Sequence, residues 1–327
     1  MSLFLSRIAL SVLACFSISA AWAFEDDIFA GGNDVIMPVA DFKNSLPKDP
    51  FDTRWIFADR SWMHSDVSQA WWSGYRGQGV SVTVVDDVNA QSSLKFAAPN
   101  FIPSAGAQPH GYWTTSQVAL VAPMADVYTQ QVGSGFIALK SGFNVFNLSY
   151  GIYSSSSNGA LGLQNSILSM FASAGSAVVV KAAGNDSTAV YREIIYPGTP
   201  VPVTVDVLNL ALKNTPGAII VGALSSNGSV SKPATMASYS NYAGDAKNFL
   251  VVGVDPSLGL AGTSFAAPII SGYAAIIASK FKDASPTTVT NKLLDTARQD
   301  TVQYYSSYIY GRGEASLSRA LAPVTIR

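Results

Sequence analysis

Four short runs of β-branched and apolar residues punctuate the middle of the chain, each bounded by glycine or by polar turn residues. They are GQGVSVTVVDD at 77–87, NVFNLSYG at 144–151, SAVVVKAAGND at 176–186 and GAIIVGAL at 217–224. Their length and nearly continuous apolar character predict strands covered on both faces, as in a parallel sheet. Between the second and third runs, Leu161, Leu163, Ile167, Leu168 and Phe171 recur at helical spacing. A longer stretch carrying Ile269, Ile270, Tyr273, Ala274, Ile276 and Ile277 is apolar nearly all round and predicts a buried helix. Pro268 must lie near its beginning, because proline lacks the N–H that a helix interior requires. The helix therefore starts close to Ser264. SPTTVTNKLLDTARQ at 285–299 opens with Ser and Pro in the order of a cap and first turn. Strands alternating with helices predict an α/β fold with a mostly parallel central sheet and helices on both faces.

The N-terminal region breaks this pattern. MSLFLSRIALSVLACFSISAAWA presents Arg7, a short apolar stretch and Ala21-Trp22-Ala23, followed by acidic residues, which reads as a secretory signal peptide spanning 1–23. Cys15, after Val-Leu-Ala, opens a lipoprotein reading, against which the sequence stays apolar beyond it. Residues 24–53 contain GGND and PVADFKNSLPKDPFD and read as an N-terminal extension, leaving 54–327 for a single domain. The expected localisation is secreted or periplasmic. No later run is long and uncharged enough to predict a membrane span.

Composition narrows the function. Of 327 residues, 48% are hydrophobic and 13% charged, with a formal net charge of -1, so neither nucleic acid nor an anionic membrane is an expected partner. Cys15 is the one cysteine and falls within the expected signal peptide. With two histidines, His64 and His110, the usual ligand sets for zinc are absent, and neither metal nor cofactor is expected. Chemistry must come from elsewhere. Asp86 and Asn185 follow apolar strand runs and Ser264 precedes the buried helix, and the carboxyl ends of parallel strands are where ligands collect. Each residue alone is also an ordinary turn former or helix cap.

Together these segments resemble the subtilisin-like serine proteases, from about Trp62 to Ala320. SVTVVDD is similar to the family's aspartate strand, HGYW with VAPMADVY to its histidine motif and the segment after it, and FNLSYG to its substrate-binding strand. VVVKAAGND is similar to its oxyanion asparagine motif, GTSFAAPIISG to its serine motif and YGRGEASLSRAL to its ending. The order Asp, His, Ser is that of the subtilisin triad. The resemblance implies Ser264 as nucleophile, His110 as its base, Asp86 as the group orienting the histidine, and Asn185 with the Ser264 N–H as oxyanion donors. It implies a polypeptide substrate laid along Ser149-Tyr150-Gly151 and Ala182-Ala183-Gly184, with Tyr150 narrowing or capping the primary pocket. His64 falls where the family has no catalytic residue and is expected to be structural.

Three departures shape the expectations. Asp87-Val88 follows the aspartate where the family has Thr or Ser and then Gly, and HGYWTT places Tyr112 and Trp113 in the histidine helix. The interval from His110 to Pro123 is too short for the family's calcium loop, so that site is expected to be missing. The N-terminal extension is shorter than the large prodomain of many relatives, and no C-terminal barrel is expected. The leading function is a secreted serine endopeptidase. The rivals are a catalytically weak subtilase-like module that binds a peptide or partner, motivated by the rebuilt histidine motif, and an esterase, disfavoured because GTSFAAP is not the G-x-S-x-G elbow.

Overall fold

The computed structural model describes residues 63–88, 94–95, 109–152, 159–192, 205–254 and 261–326. The expected signal peptide and N-terminal extension lie outside the described residues. The elements are α1 (Ser65–Trp72), β1 (Val80–Asp86), β2 (Leu94–Lys95), α2 (His110–Val121), β3 (Asp126–Gln131), β4 (Phe143–Leu148), α3 (Gly159–Ser173) and β5 (Val178–Ala182). They continue with α4 (Val207–Leu212), β6 (Ala218–Leu224), β7 (Phe249–Gly253), α5 (Thr263–Lys280), α6 (Pro286–Asp295), α7 (Ser307–Tyr310) and α8 (Leu317–Leu321).

One seven-stranded sheet in the order β2-β3-β1-β4-β5-β6-β7 organises the described chain. Six strands are parallel, and the two-residue β2 pairs antiparallel to β3 at the edge. All four runs read as strands form strands, buried along almost their whole length. Alternation assigns their side chains to two layers. Val82, Val84, Val145, Val178, Val180 and Ala182 pack with α2 and α5. Val85, Phe146, Leu148 and Val179 pack with Leu168 of α3 and Leu208 and Leu212 of α4.

The predicted helices form, with one face turned differently. In α3 the buried residues are Gln164, Leu168 and Ala172, whereas Leu163 is 53% exposed. Gln164 faces inward because its amide binds the backbone at the end of β3: Gly133 N–H donates to Oε1 (3.1 Å), and Nε2 donates to the Gln131 carbonyl (3.4 Å). Helix α6 starts as expected, with Ser285 Oγ accepting from the Thr288 N–H (3.1 Å) and Pro286 in the first turn.

This topology prepares the site. Strands β1, β4 and β5 are neighbours, so Asp86, Ser149 and the Ala182–Asn185 segment emerge side by side at one carboxyl edge. Helix α5 packs across the same sheet and begins at that edge with Thr263 and Ser264.

Candidate active site

Asp86 ends β1 fully buried, a position a carboxylate holds only with partners. It has three: His110 Nδ1 lies 2.8 Å from Oδ1, the Asp87 N–H donates to Oδ1 (2.7 Å), and Thr114 Oγ1 donates to Oδ2 (2.9 Å). His110 and Thr114 are i and i+4 on α2, which puts both on the face turned toward β1. Pro109 occupies the N-cap, where a missing N–H costs nothing, and His110 opens the helix.

Gly111 lets that helix come close enough. Its N–H donates to the Asp87 carbonyl (2.8 Å), and a Cβ there would lie 2.4 Å from Val88 Cγ1 and 2.5 Å from that same carbonyl oxygen. The rebuilt motif is absorbed by packing and polar contacts. Trp113 is buried in the core with α5, edge-on to half-buried Tyr112, while Thr114 supplies the second carboxylate contact.

Ser264 sits in the first turn of α5, after Gly262, whose φ of 133° lies where side-chain-bearing residues are strained. The reason Pro268 is tolerated is visible at Ser264. Any other residue at 268 would donate its N–H to the carbonyl four residues back; proline has none, and instead Ser149 Oγ donates to the Ser264 carbonyl (2.8 Å). In return, Ser264 Oγ donates to the Ser149 carbonyl (3.0 Å). Behind this pair, Asn147 Nδ2 donates to Ser149 Oγ (2.8 Å), and Ser271 Oγ donates to Asn147 Oδ1 (3.0 Å). All four residues are buried, so the nucleophile candidate belongs to a satisfied polar chain inside an apolar layer. The His110 ring lies 5.7 Å from the ring of Phe265, the residue after Ser264.

Asn185 follows β5, and its Oδ1 accepts from both the N–H (2.9 Å) and the Oγ1 (3.0 Å) of Thr263. Committing Oδ1 to the helix start makes Nδ2 the donor end of that amide, beside the first N–H groups of α5, which have no intrahelical acceptors. Thr263 Oγ1 also accepts from Gly184 N–H (3.0 Å), locking the strand exit to the helix start.

The two segments expected to hold substrate flank this edge. Ser149, Ala182 and Ala183 are buried, whereas Gly151 and Gly184 are half-buried. Tyr150 is 3% exposed among Val85, Leu148 and Ile152, and its hydroxyl has no hydrogen-bond partner among the described residues. Burial, with the Asp86 and Asp206 carboxylates, pushes its phenol far above the ordinary range, so it remains protonated.

The structure thus brings Asp86, His110, Asn185 and Ser264 to one edge and keeps His64 elsewhere. His64 Nδ1 lies 3.1 Å from Asp66 Oδ1 at the start of α1, and its Nε2 lies 2.9 Å from the Arg298 guanidinium. Asp87 is half-buried, with Oδ1 accepting from Gln131 Nε2 (3.3 Å). Helix α2 fills the interval from His110 to Val121, and among the described residues no group of three or more His, Cys, Asp or Glu is placed to hold a metal.

Sequence reasoning missed Thr114, Asn147, Ser271, Lys181 and Asp206. The available signal was a polar residue within an apolar run: Lys181 in VVVKAAG, Asn147 in VFNLS and Ser271 in PIISGY. Each needs a buried partner that sequence alone does not name.

The subtilase family profile of peptidase S8 matches residues 105–313, a span that holds His110, Asn185 and Ser264 and begins after Asp86. No curated protein sequence matches the chain. Among solved structures, a lanthipeptide protease shares the fold with TM-score 0.54 and 17% identity, covering 85% of this chain and 98% of its own. The prenylagaramide maturation protease PagA gives TM-score 0.50 at 19% identity, over 78% of this chain and 97% of that one. MycP1 from the ESX-1 type VII secretion system gives TM-score 0.50 at 19% identity, over 81% and 86%. With a profile match across more than half of its length and the parallel-sheet architecture of these proteases, the chain belongs to the subtilase family of serine peptidases.

Proposed function

We propose that the protein is a secreted or periplasmic serine endopeptidase in which Ser264, His110 and Asp86 carry out acyl transfer and Asn185 stabilises the oxyanion. The observation that carries this reading is the buried 2.8 Å contact between His110 Nδ1 and Asp86 Oδ1, at the edge where α5 presents Ser264. A carboxylate on Nδ1 keeps a proton there and leaves Nε2 to take one.

In the proposed cycle, Ser264 Oγ exchanges its Ser149 acceptor for His110 Nε2 and attacks the scissile carbonyl, passing its proton to the imidazole. The new oxyanion is received by Asn185 Nδ2 and the Ser264 N–H at the positive end of α5. The imidazolium returns the proton to the leaving amine, and water then hydrolyses the acyl-enzyme through the same base. The substrate backbone lies in extended form along Ser149-Tyr150-Gly151 and Ala182-Ala183-Gly184. Export is supported by the signal-like residues 1–23 of the sequence.

The test is labelling of the purified protein by an alkyl fluorophosphonate, which phosphonylates activated serines. Wild type should label, and Ser264→Ala and His110→Ala should not. A folded wild type that fails to label would overturn the assignment.

A further inference from the structure

Lys181 is the one fully buried lysine among the described residues, placed in the middle of a sheet next to the proposed substrate groove. Its Nζ pairs with Asp206 Oδ2 at 2.9 Å and also donates to the carbonyl of Ala182. Asp206 is buried too. Its Oδ1 accepts from the N–H groups of Ile152 (3.2 Å), Leu208 (3.0 Å) and Asn209 (3.2 Å), so it caps α4 while reaching the neighbouring segment.

The connections cross the groove. Strands β4 and β5 stay paired as far as Leu148 and Lys181, beyond which the segments 149–152 and 182–185 form the two walls. On the α5 side, Ser149 bonds to Ser264 and Gly184 to Thr263. On the opposite, α4 side, Ile152 is held by Asp206 and by Val207, whose N–H donates to the Ile152 carbonyl (2.8 Å). The other wall is held there by Lys181 and by Asn209 Nδ2, which donates to the Ala183 carbonyl (2.9 Å). Buried Tyr150 packs into the same layer with Ile152 and Leu208.

Resting on the peptidase reading above, we propose that the Lys181–Asp206 pair is a tie that fixes the separation of the two walls and, with the Tyr150 ring, closes the floor between them. The residue that donates the scissile carbonyl is thereby restricted to a small, uncharged side chain. Size is limited because the side chains of Tyr150, Lys181 and Asp206 are all buried at the foot of the two walls. Charge is excluded because both Asp206 oxygens are engaged and Lys181 is neutralised, which leaves no net charge to meet a basic or acidic side chain. Lys181 and Asp206 are positioning residues, acting on substrate through the walls they hold.

The experiment compares labelling rates for peptidyl phosphonates that differ only in the residue bearing phosphorus (Ala, Phe, Lys or Glu), with an alkyl fluorophosphonate as reference. Ala should react about 100-fold faster than the other three, the upper range for rejection by a pocket of fixed size. Equal or faster reaction of any large or charged residue, with the reference still labelling, overturns the proposal and leaves the peptidase reading intact. Failure of the reference overturns that reading and the substrate class with it. The variant Lys181→Met/Asp206→Asn replaces the pair by neutral groups of similar shape and should lower the preference for Ala over Phe by about tenfold, following the discrimination available to a pocket contact. A folded double variant with unchanged preference would refute the tie. Tyr150→Ala tests the floor independently, because it should raise the rate with the Phe probe relative to the Ala probe, and a constant ratio would remove Tyr150 from the floor.

Discussion

Gly111→Ala is the substitution whose effect the structure defines most sharply, because helix propensity and site geometry predict opposite signs. In an ordinary helix interior, glycine to alanine gains about 1 kcal/mol. At Gly111 the new Cβ would lie 2.4 Å from Val88 Cγ1, 2.5 Å from the Asp87 carbonyl oxygen and 3.0 Å from Asp86 Cβ. These separations are about 1 Å inside normal contact. The valine methyl can turn aside, but the carbonyl oxygen belongs to the chain leaving β1, so relief requires α2 to move away from the strand. Such overpacking costs about 1–3 kcal/mol. The movement would also stretch the 2.8 Å His110–Asp86 contact toward ~3.8 Å, past hydrogen-bond range. Net stability should fall by up to about 2 kcal/mol, and the labelling and peptide-cleavage rates by about 100-fold, the cost of a 1 Å misplacement. The assay is urea unfolding followed by tryptophan fluorescence, run beside single-turnover kinetics. Gly162→Ala in α3 is the control, since its Cβ would meet nothing within 4 Å. If both variants behave alike, gaining stability and keeping full rate, the close approach of α2 to β1 is not what holds His110 in place.

Three further substitutions probe other parts of the site and domain. Asn185→Ala should lower kcat by about 100- to 1000-fold with little change in KM, a magnitude established in subtilisin; a change confined to KM would move Asn185 from the oxyanion to substrate binding. Tyr150→Phe removes a buried hydroxyl that lacks a partner among the described residues and should be neutral or stabilising by about 1 kcal/mol in urea unfolding. A loss of that size would mean the hydroxyl has a role in the folded protein. Burial alone would raise the Asp66 carboxyl, but hydrogen bonds from His64 and from the Ser318 N–H and hydroxyl outweigh it and hold the group well below the usual carboxylate range. A folded value below the unfolded one stabilises above about pH 4 and is lost as pH falls further. Asp66→Asn should therefore cost about 1.5–3 kcal/mol at pH 7, the worth of hydrogen bonds to a charged group, and the gap to wild type should close on acidification below pH 4. A gap that stays constant down to pH 2 would contradict it.

What could be read in advance followed from local physics. Runs such as VSVTVV and AIIVGAL announce buried strands by composition, and Pro268 marks the start of α5 because only the first turns of a helix accept it. Strand β3 escaped because DVYTQQ is partly polar, its side chains only half covered. Strand β7, in NFLVVG, is five residues long and carries no flanking motif. In the site, Asp86, His110, Asn185 and Ser264 stood out through the spacing and neighbours that make up the family resemblance. Their supporting partners did not, because Asp206 meets Lys181 across 25 residues and Ser271 meets Asn147 across 124, distances over which no local pattern extends. Tyr150 was legible as a change of residue but not as a buried one, since the cluster that covers it draws on residues as far apart as Val85 and Leu212.

Asp66 of α1 accepts hydrogen bonds from Ser318 of α8, 252 residues later, and the two helices share one apolar cluster with α5. The described domain is therefore sewn shut between its first and last helices. Closing so large a loop costs little more than closing a moderate one, because the entropy grows only with the logarithm of length. The penalty is in time. Contacts this remote in sequence belong to slow-folding topologies, and the docking surface of α1, which also includes the end of α2 and α5, is incomplete until α8 has been made. Asp86, His110, Asn185 and Ser264 all precede α8 in the chain, so they leave the ribosome before that seam can form.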